Sequence, residues 1–172
     1  MRLVPSSPYS ASKAAADLAV LSYCRTFGLN ATVSRCSNNF GPWQHPEKLI
    51  GTIISNVMAG KPVPVYGDGH QRRHWIYVDE HNDAVMDILE QGQTGKIYNI
   101  APPRENWITN MQLARFIVER MFGKNPQEAI EFVKDRPGHD KSYFLFGTGF
   151  CQKTRLWEDD MADTVSWYKE NI

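Results

Sequence analysis

Apolar positions along this chain follow two alternating rhythms. From Ser10 to Phe27, Ala14, Leu18 and Leu21 recur at helical spacing in an alanine-rich stretch that stops at Gly28, which predicts a helix. Asn30 to Ser37 (NATVSRCS) alternates β-formers with small residues and predicts a strand. NNFGPWQHP, with its asparagines, glycine and two prolines, is expected to be loop. The amphipathic run Lys48 to Ala59, closed by Gly60, predicts a second helix, followed by a short extended piece over Pro62 to Tyr66 and the turn GDGH. Arg73 to Val78 predicts a strand, and Asp79 is placed to cap the helix DEHNDAVMDILEQG. Lys96 to Ala101 predicts a strand. Thr109 can cap a helix reaching Met121 or Phe122 before Gly123. Ala129 to Val133 predicts another strand, DRPGHD a loop, and Glu158 to Glu170 the last helix, while Phe144 to Trp157 follows neither period. Alternating helix and strand patterns imply an α/β fold with parallel pairing.

Composition narrows the function classes. The 172 residues are 42% apolar and 22% charged, which suits a globular domain with a real core. Lys plus Arg and Asp plus Glu balance at 19 each, so no charge excess points to nucleic acid or to an anionic membrane. No apolar run is long enough to span a bilayer, and MRLVPSSP lacks the apolar stretch of a secretory leader. Cys24, Cys36 and Cys151 are scattered and odd in number, which suggests reduced packing thiols and a cytoplasmic location. His70 and His74 have the spacing of a metal pair on a helix, but they fall where a turn runs into a strand, so no metal site is expected.

The candidate chemistry lies in PYSASKAAAD. Tyr9 and Lys13 are four apart and share a helical face. An ammonium beside a phenol favours the phenolate, and such a tyrosine can exchange protons in general acid/base catalysis. On spacing alone, a surface pair is the commoner outcome.

The company of that pair is more specific. PYSASKAA, RCSNNFGPWQHPEKLI, PVPVYGDGHQRRHWIYVDE, IYNIA and DRPGHD, in this order, resemble the extended short-chain dehydrogenases/reductases. Within them they are most similar to the dTDP-glucose 4,6-dehydratases, NAD-dependent lyases of nucleotide sugars. The resemblance runs from Pro5 to Tyr143 and returns at TVSWYKEN. It implies Tyr9 as the catalytic tyrosine and Lys13 as its partner, the lysine also holding the nicotinamide ribose of NAD. It implies Cys36 and Asn38 beside nicotinamide and sugar, with Asn38 touching substrate. Lys48 and Leu49 would lie over the nucleotide, Pro64 and Tyr66 would bracket its base, and Arg73 and Arg136 would hold the diphosphate. A guanidinium fork suits phosphate oxygens. The partner expected is a dTDP-hexose.

Departures are also visible. The family's Gly-Gly-His-Asn turn after the YNI strand is APPREN here, with Arg104 near the place of its phosphate-binding asparagine. His74 stands where an Arg-Asp-Trp triplet has its acid, and Phe144 to Trp157 does not resemble the family. No GxxGxxG turn occurs in the sequence, nor the upstream Thr-Asp-Glu stretch that supplies the family's elimination acid and base. The implied architecture is therefore a single truncated unit. Its Rossmann-like remnant covers roughly 1–45 and 75–101, and its small α/β substrate-binding part roughly 46–74 and 102–172. Such a unit is expected to lack bound NAD and turnover when alone. It is also expected to expose the edge of its first strand and so to oligomerise or accept a complementing half. A non-catalytic nucleotide-sugar-binding remnant and a nucleotide-sugar epimerase of the same superfamily are the competing readings.

Overall fold

The computed structural model describes residues 4–135, 138–150 and 156–172. The first helix, α1, spans Pro8–Phe27. Ser7 adopts an extended backbone and its Oγ accepts from the Ser10 N–H at 3.1 Å, so an early unpaired donor of the helix is satisfied. Gly28 ends the helix in the left-handed region at φ 66°, with its N–H on the Cys24 carbonyl. No residue of α1 is buried.

Strand pairing is mostly parallel, as the alternation implied. β1 (Val33–Cys36) pairs in parallel with β5 (Ile97–Ile100), Val33 facing Ile97 and Cys36 facing Ile100. β2 (Asn38–Phe40) pairs in parallel with β4 (Arg72–Tyr77), Asn38 facing Trp75. β6 (Trp107–Thr109) joins the other edge of β4 antiparallel, and β3 (Val63–Tyr66) pairs in parallel with β7 (Ile130–Val133). The helices between them are α2 (Leu49–Met58), α3 (Val78–Gln91), α4 (Asn110–Phe116), α5 (Pro126–Ala129) and α6 (Trp157–Asn171).

Three expectations need correction. Asn38–Phe40 is strand, not loop, because it lies on the edge of β4 and drives Phe40 into edge-on contact with Trp75 and Tyr77. Packing there overrides the low strand preference of asparagine. Asp79 does not cap α3: Tyr77 occupies the cap position, and Asp79 sits inside the first turn, where its charge still favours the helix dipole. The fourth helix, α4, begins at Asn110 after the unforeseen β6 and passes into a π-turn over Ile117–Met121. Its cap is as expected. Thr109 accepts from the Gln112 N–H while the Gln112 side chain accepts from the Thr109 N–H, a complete capping box.

The main core lies between α2, α4 with its π-turn, α6 and the strands β3 and β4, built on Ile50, Ile53, Ile54, Leu113, Met161 and Tyr168 among others. A small second cluster, Ile76, Ala84, Ile88 and Ile100, ties α3 to β4 and β5. The rest of the molecule hangs on that framework.

Candidate functional site

Strand alternation decides which side chains reach the site. In β3, Val63 and Val65 turn into the core, so Pro64 and Tyr66 take the opposite face. In β4, Arg73 and Trp75 share one face, beside Asn38 at the start of β2. The loop between β2 and α2 is pinned against the core. Gly41 at φ 145° lies where an added Cβ would meet Val78 Cγ1 at 2.6 Å, so only glycine fits the turn. Trp43 adopts a left-handed backbone and packs its ring on Trp167. The Tyr168 hydroxyl donates to the Gln44 carbonyl at 2.5 Å.

These elements enclose a cleft of about 860 Å³. Tyr9, Asn38, Lys48, Leu49, Pro64, Tyr66 and Arg73 all line it. Tyr9 stands at its mouth, 73% exposed, whereas Arg73 is 7% exposed. Arg73 donates to the carbonyls of Arg72 at 2.8 Å and Asp140 at 2.7 Å, and its guanidinium lies 4.7 Å over the Tyr143 ring. The Tyr143 hydroxyl donates to Asn38 Oδ1. Burial pushes the Tyr143 phenol above its ordinary value, against the opposing pull of the Arg73 charge and the Asn38 contact.

Among the described residues, four buried polar atoms on this cleft have no hydrogen-bond partner: Asn39 Oδ1, Gln44 Oε1, Trp75 Nε1 and Asn110 Oδ1. Buried polar groups are normally paired, so this set is suited to a polar ligand. Sequence reasoning missed all four. Only the cap at Thr109 marked the neighbourhood of Asn110, and nothing in the pattern distinguished Gln44 from a loop glutamine. His139, which the DRPGHD match left without a role, also lines the cleft. Its Nδ1 is 2.7 Å from Asp135 Oδ1, and its ring meets Tyr66 edge-on.

Other predicted residues lie elsewhere. Lys13 is exposed one turn along α1 and does not line the cleft. Cys36 ends β1, exposed, with its sulfur accepting from Asn39 Nδ2 at 3.3 Å. Arg104 is exposed in a 3-10 turn and does not line the cleft either. Arg136 falls outside the described residues. His70 is exposed beside Asp68, while His74 is buried, stacked on Phe144 with Nε2 2.8 Å from the Pro103 carbonyl. Burial pushes His74 below the usual 6.5. Among the described residues no group of three or more metal-ligating side chains gathers.

The model of the family described as "NAD dependent epimerase/dehydratase family" matches residues 1–101. The chain belongs to the NAD dependent epimerase/dehydratase family. It is 42% identical to a dTDP-glucose 4,6-dehydratase of Streptomyces niveus over 98% of this chain and 51% of that protein. It is 41% identical to one of Neisseria gonorrhoeae over 97% of this chain and 52% of that protein. The crystal structure of a dTDP-glucose 4,6-dehydratase from Streptomyces venezuelae, with NAD and TYD bound, superposes with a TM-score of 0.92 at 38% identity, over 99% of this chain and 53% of that one. The chain thus spans about half the length of the relatives it matches.

NAD is the cofactor this family implies. Between β1 and β2, the Ser37 Oγ is buried and, among the described residues, has no hydrogen-bond partner. The 172 residues carry no GxxGxxG turn to offer backbone N–H groups to the dinucleotide pyrophosphate. Among the described residues, no helix is long and apolar enough to cross a membrane.

Proposed function

We propose that this chain is the substrate-binding half of an NAD-dependent nucleotide-sugar 4,6-dehydratase, with dTDP-glucose as the preferred sugar nucleotide. One observation carries the reading: Asn38, Lys48, Leu49, Pro64, Tyr66 and Arg73, drawn from separate motifs, converge on one cleft that also holds partnerless polar atoms. Pro64 and Tyr66 supply flat apolar walls for a base. Arg73, held in place by two carbonyls, supplies the cationic fork for a diphosphate.

In the reaction, Tyr9 at the mouth takes the proton of the sugar's 4-hydroxyl. Lys13, one turn on, stabilises the phenolate and orients the ribose. Asn38 orients the sugar. NAD, when bound, supplies reversible acceptance of the C4 hydride. With a bound NAD returning the hydride it accepts, the net change proposed for the sugar would be loss of water. The 172 residues alone are proposed not to turn over, because they carry neither a dinucleotide pyrophosphate turn nor an elimination acid and base. We place the division between Rossmann-like and substrate parts near residues 45, 75 and 101, and the working compartment in the cytoplasm on the scattered cysteines. Exposed Tyr23 and Phe27 on α1 suit association with a second copy or a complementing half, a state that sedimentation velocity at micromolar concentration reads directly.

Calorimetric titration tests the reading. dTDP should bind one site per chain, and Arg73→Ala should weaken it at least about tenfold through loss of charge-assisted hydrogen bonds. Equal affinities for wild type and Arg73→Ala would remove Arg73 from the site. Production of a 4-keto sugar by the isolated chain with NAD would overturn the account of its inactivity.

A further inference from the structure

Tyr143 belongs to no motif assigned above, yet it touches two of the residues that line the cleft. Its hydroxyl donates to Asn38 Oδ1, and its ring lies 4.7 Å beneath the Arg73 guanidinium. The segment that carries it is fastened along β4. The Arg72 N–H donates to the Lys141 carbonyl at 2.9 Å, Arg73 donates to the Asp140 carbonyl at 2.7 Å, and the Trp107 indole N–H donates to the Tyr143 carbonyl at 3.1 Å. Arg72 in turn lies over the Trp107 ring at 4.9 Å. The tyrosine is therefore held from the backbone side while its ring and hydroxyl are committed to Arg73 and Asn38, which line the cleft.

Each contact has a chemical consequence. An amide side chain can turn either its oxygen or its NH₂ to a ligand, and the two ends are of opposite character. A phenol donating to Asn38 Oδ1 occupies the oxygen and leaves Nδ2 to face the cleft as a donor. A guanidinium over an aromatic face keeps its charge and its in-plane N–H groups while losing rotational freedom. We propose that Tyr143 is a positioning residue: its hydroxyl fixes the Asn38 amide as a donor and its ring fixes the Arg73 plane, so that both aim N–H groups at one oxygen-rich ligand. Tyr143 itself need not touch that ligand.

The ligand arm of the test rests on the nucleotide-sugar reading, and the spectroscopic arm does not. In the full 172-residue chain, the Arg73 Nε–H proton should resonate upfield of other arginines because of the ring current. Tyr143→Phe should keep that shift and Tyr143→Leu should abolish it. An Arg73 proton at an ordinary position in wild type overturns the clamp, whatever the ligand proves to be. In titrations with dTDP-glucose, Tyr143→Phe should weaken binding about fivefold, the scale of one orienting hydrogen bond, and Tyr143→Leu about tenfold or more. The deciding comparison is a cycle. In an Asn38→Ala background, Tyr143→Phe should cost nothing further, because its effect runs through that amide. A full fivefold loss in that background overturns the positioning role and makes the hydroxyl a direct contact. Thermal melts of each variant separate these effects from misfolding. Should wild type bind neither dTDP nor dTDP-glucose, the nucleotide-sugar reading fails while the Arg73 shift still decides the clamp.

Discussion

Two helices of this chain, α1 and α2, form for different reasons. α1 runs for 20 residues and buries none of them. α2 runs for 10 and buries Ile50, Gly51, Ile53, Ile54 and Val57. α1 stands on alanine content, a serine cap and a left-handed glycine stop, with Leu18, Tyr23 and Phe27 turned to solvent. An ion pair to the sheet joins Asp17 to Arg35 at 2.7 Å. α2 stands on tertiary burial, the usual source of helix stability in proteins. The lesson concerns function as much as stability. The walls that would hold a nucleotide belong to the packed region, whereas Tyr9 and Lys13 sit on the helix with no core of its own.

The comparison predicts a graded set of outcomes. Ile53→Ala should cost about 3 kcal/mol in urea unfolding, since Ile53 is fully buried, while Leu18→Ala should stay within about 0.5 kcal/mol. Comparable losses at both positions would erase the contrast. Next comes Gly51→Ala, whose Cβ would lie 2.8 Å from both Pro46 Cα and the Tyr168 hydroxyl. Overpacking there should cost about 2 kcal/mol and weaken nucleotide binding as well, because the displaced loop carries Gln44 and Lys48.

Acidification should act on the packed region with a smaller effect. Burial holds the folded-state value of His74 below 6.5, so the unfolded chain takes up the proton first. The stability tied to a neutral His74 is complete above about pH 6.5 and declines as pH falls from there toward the lower folded value. His74→Phe should flatten the slope of the urea midpoint between pH 7 and 5, and an unchanged slope would assign it to other groups. The smallest effect belongs to α1. Arg35→Gln should cost less than about 1 kcal/mol, because side chains 31% and 20% exposed keep part of their hydration. Its signature should be faster amide exchange confined to α1.

Most of the elements were legible in the sequence, and the reasons are local. α2 announced itself by apolar spacing, α4 by Thr109 and the Gly123 stop, and α1 by its alanines and glycine stop. β2 and β6 were not legible, because three-residue strands with asparagine or a lone tryptophan exist only by pairing with β4. Asn38, Lys48, Leu49, Pro64, Tyr66 and Arg73 come from separate motifs and line one cleft, whereas Lys13 and Cys36, also carried by recognisable motifs, do not. Asn110, Trp75 and Gln44 were not foreseen, since partnerless burial is a property of three-dimensional packing. Arg104 shows the converse: its position in the sequence suggested a phosphate ligand, and the 3-10 turn leaves it exposed and off the cleft.

Hydrogen exchange with and without saturating dTDP tests the central claim most directly, that the nucleotide site is carried whole by the packed region. The account predicts slowed exchange in Leu49–Met58, Val63–Tyr66 and Arg72–Tyr77, with Pro8–Phe27 unchanged. Protection confined to Pro8–Phe27, or none in any of these elements, would contradict it.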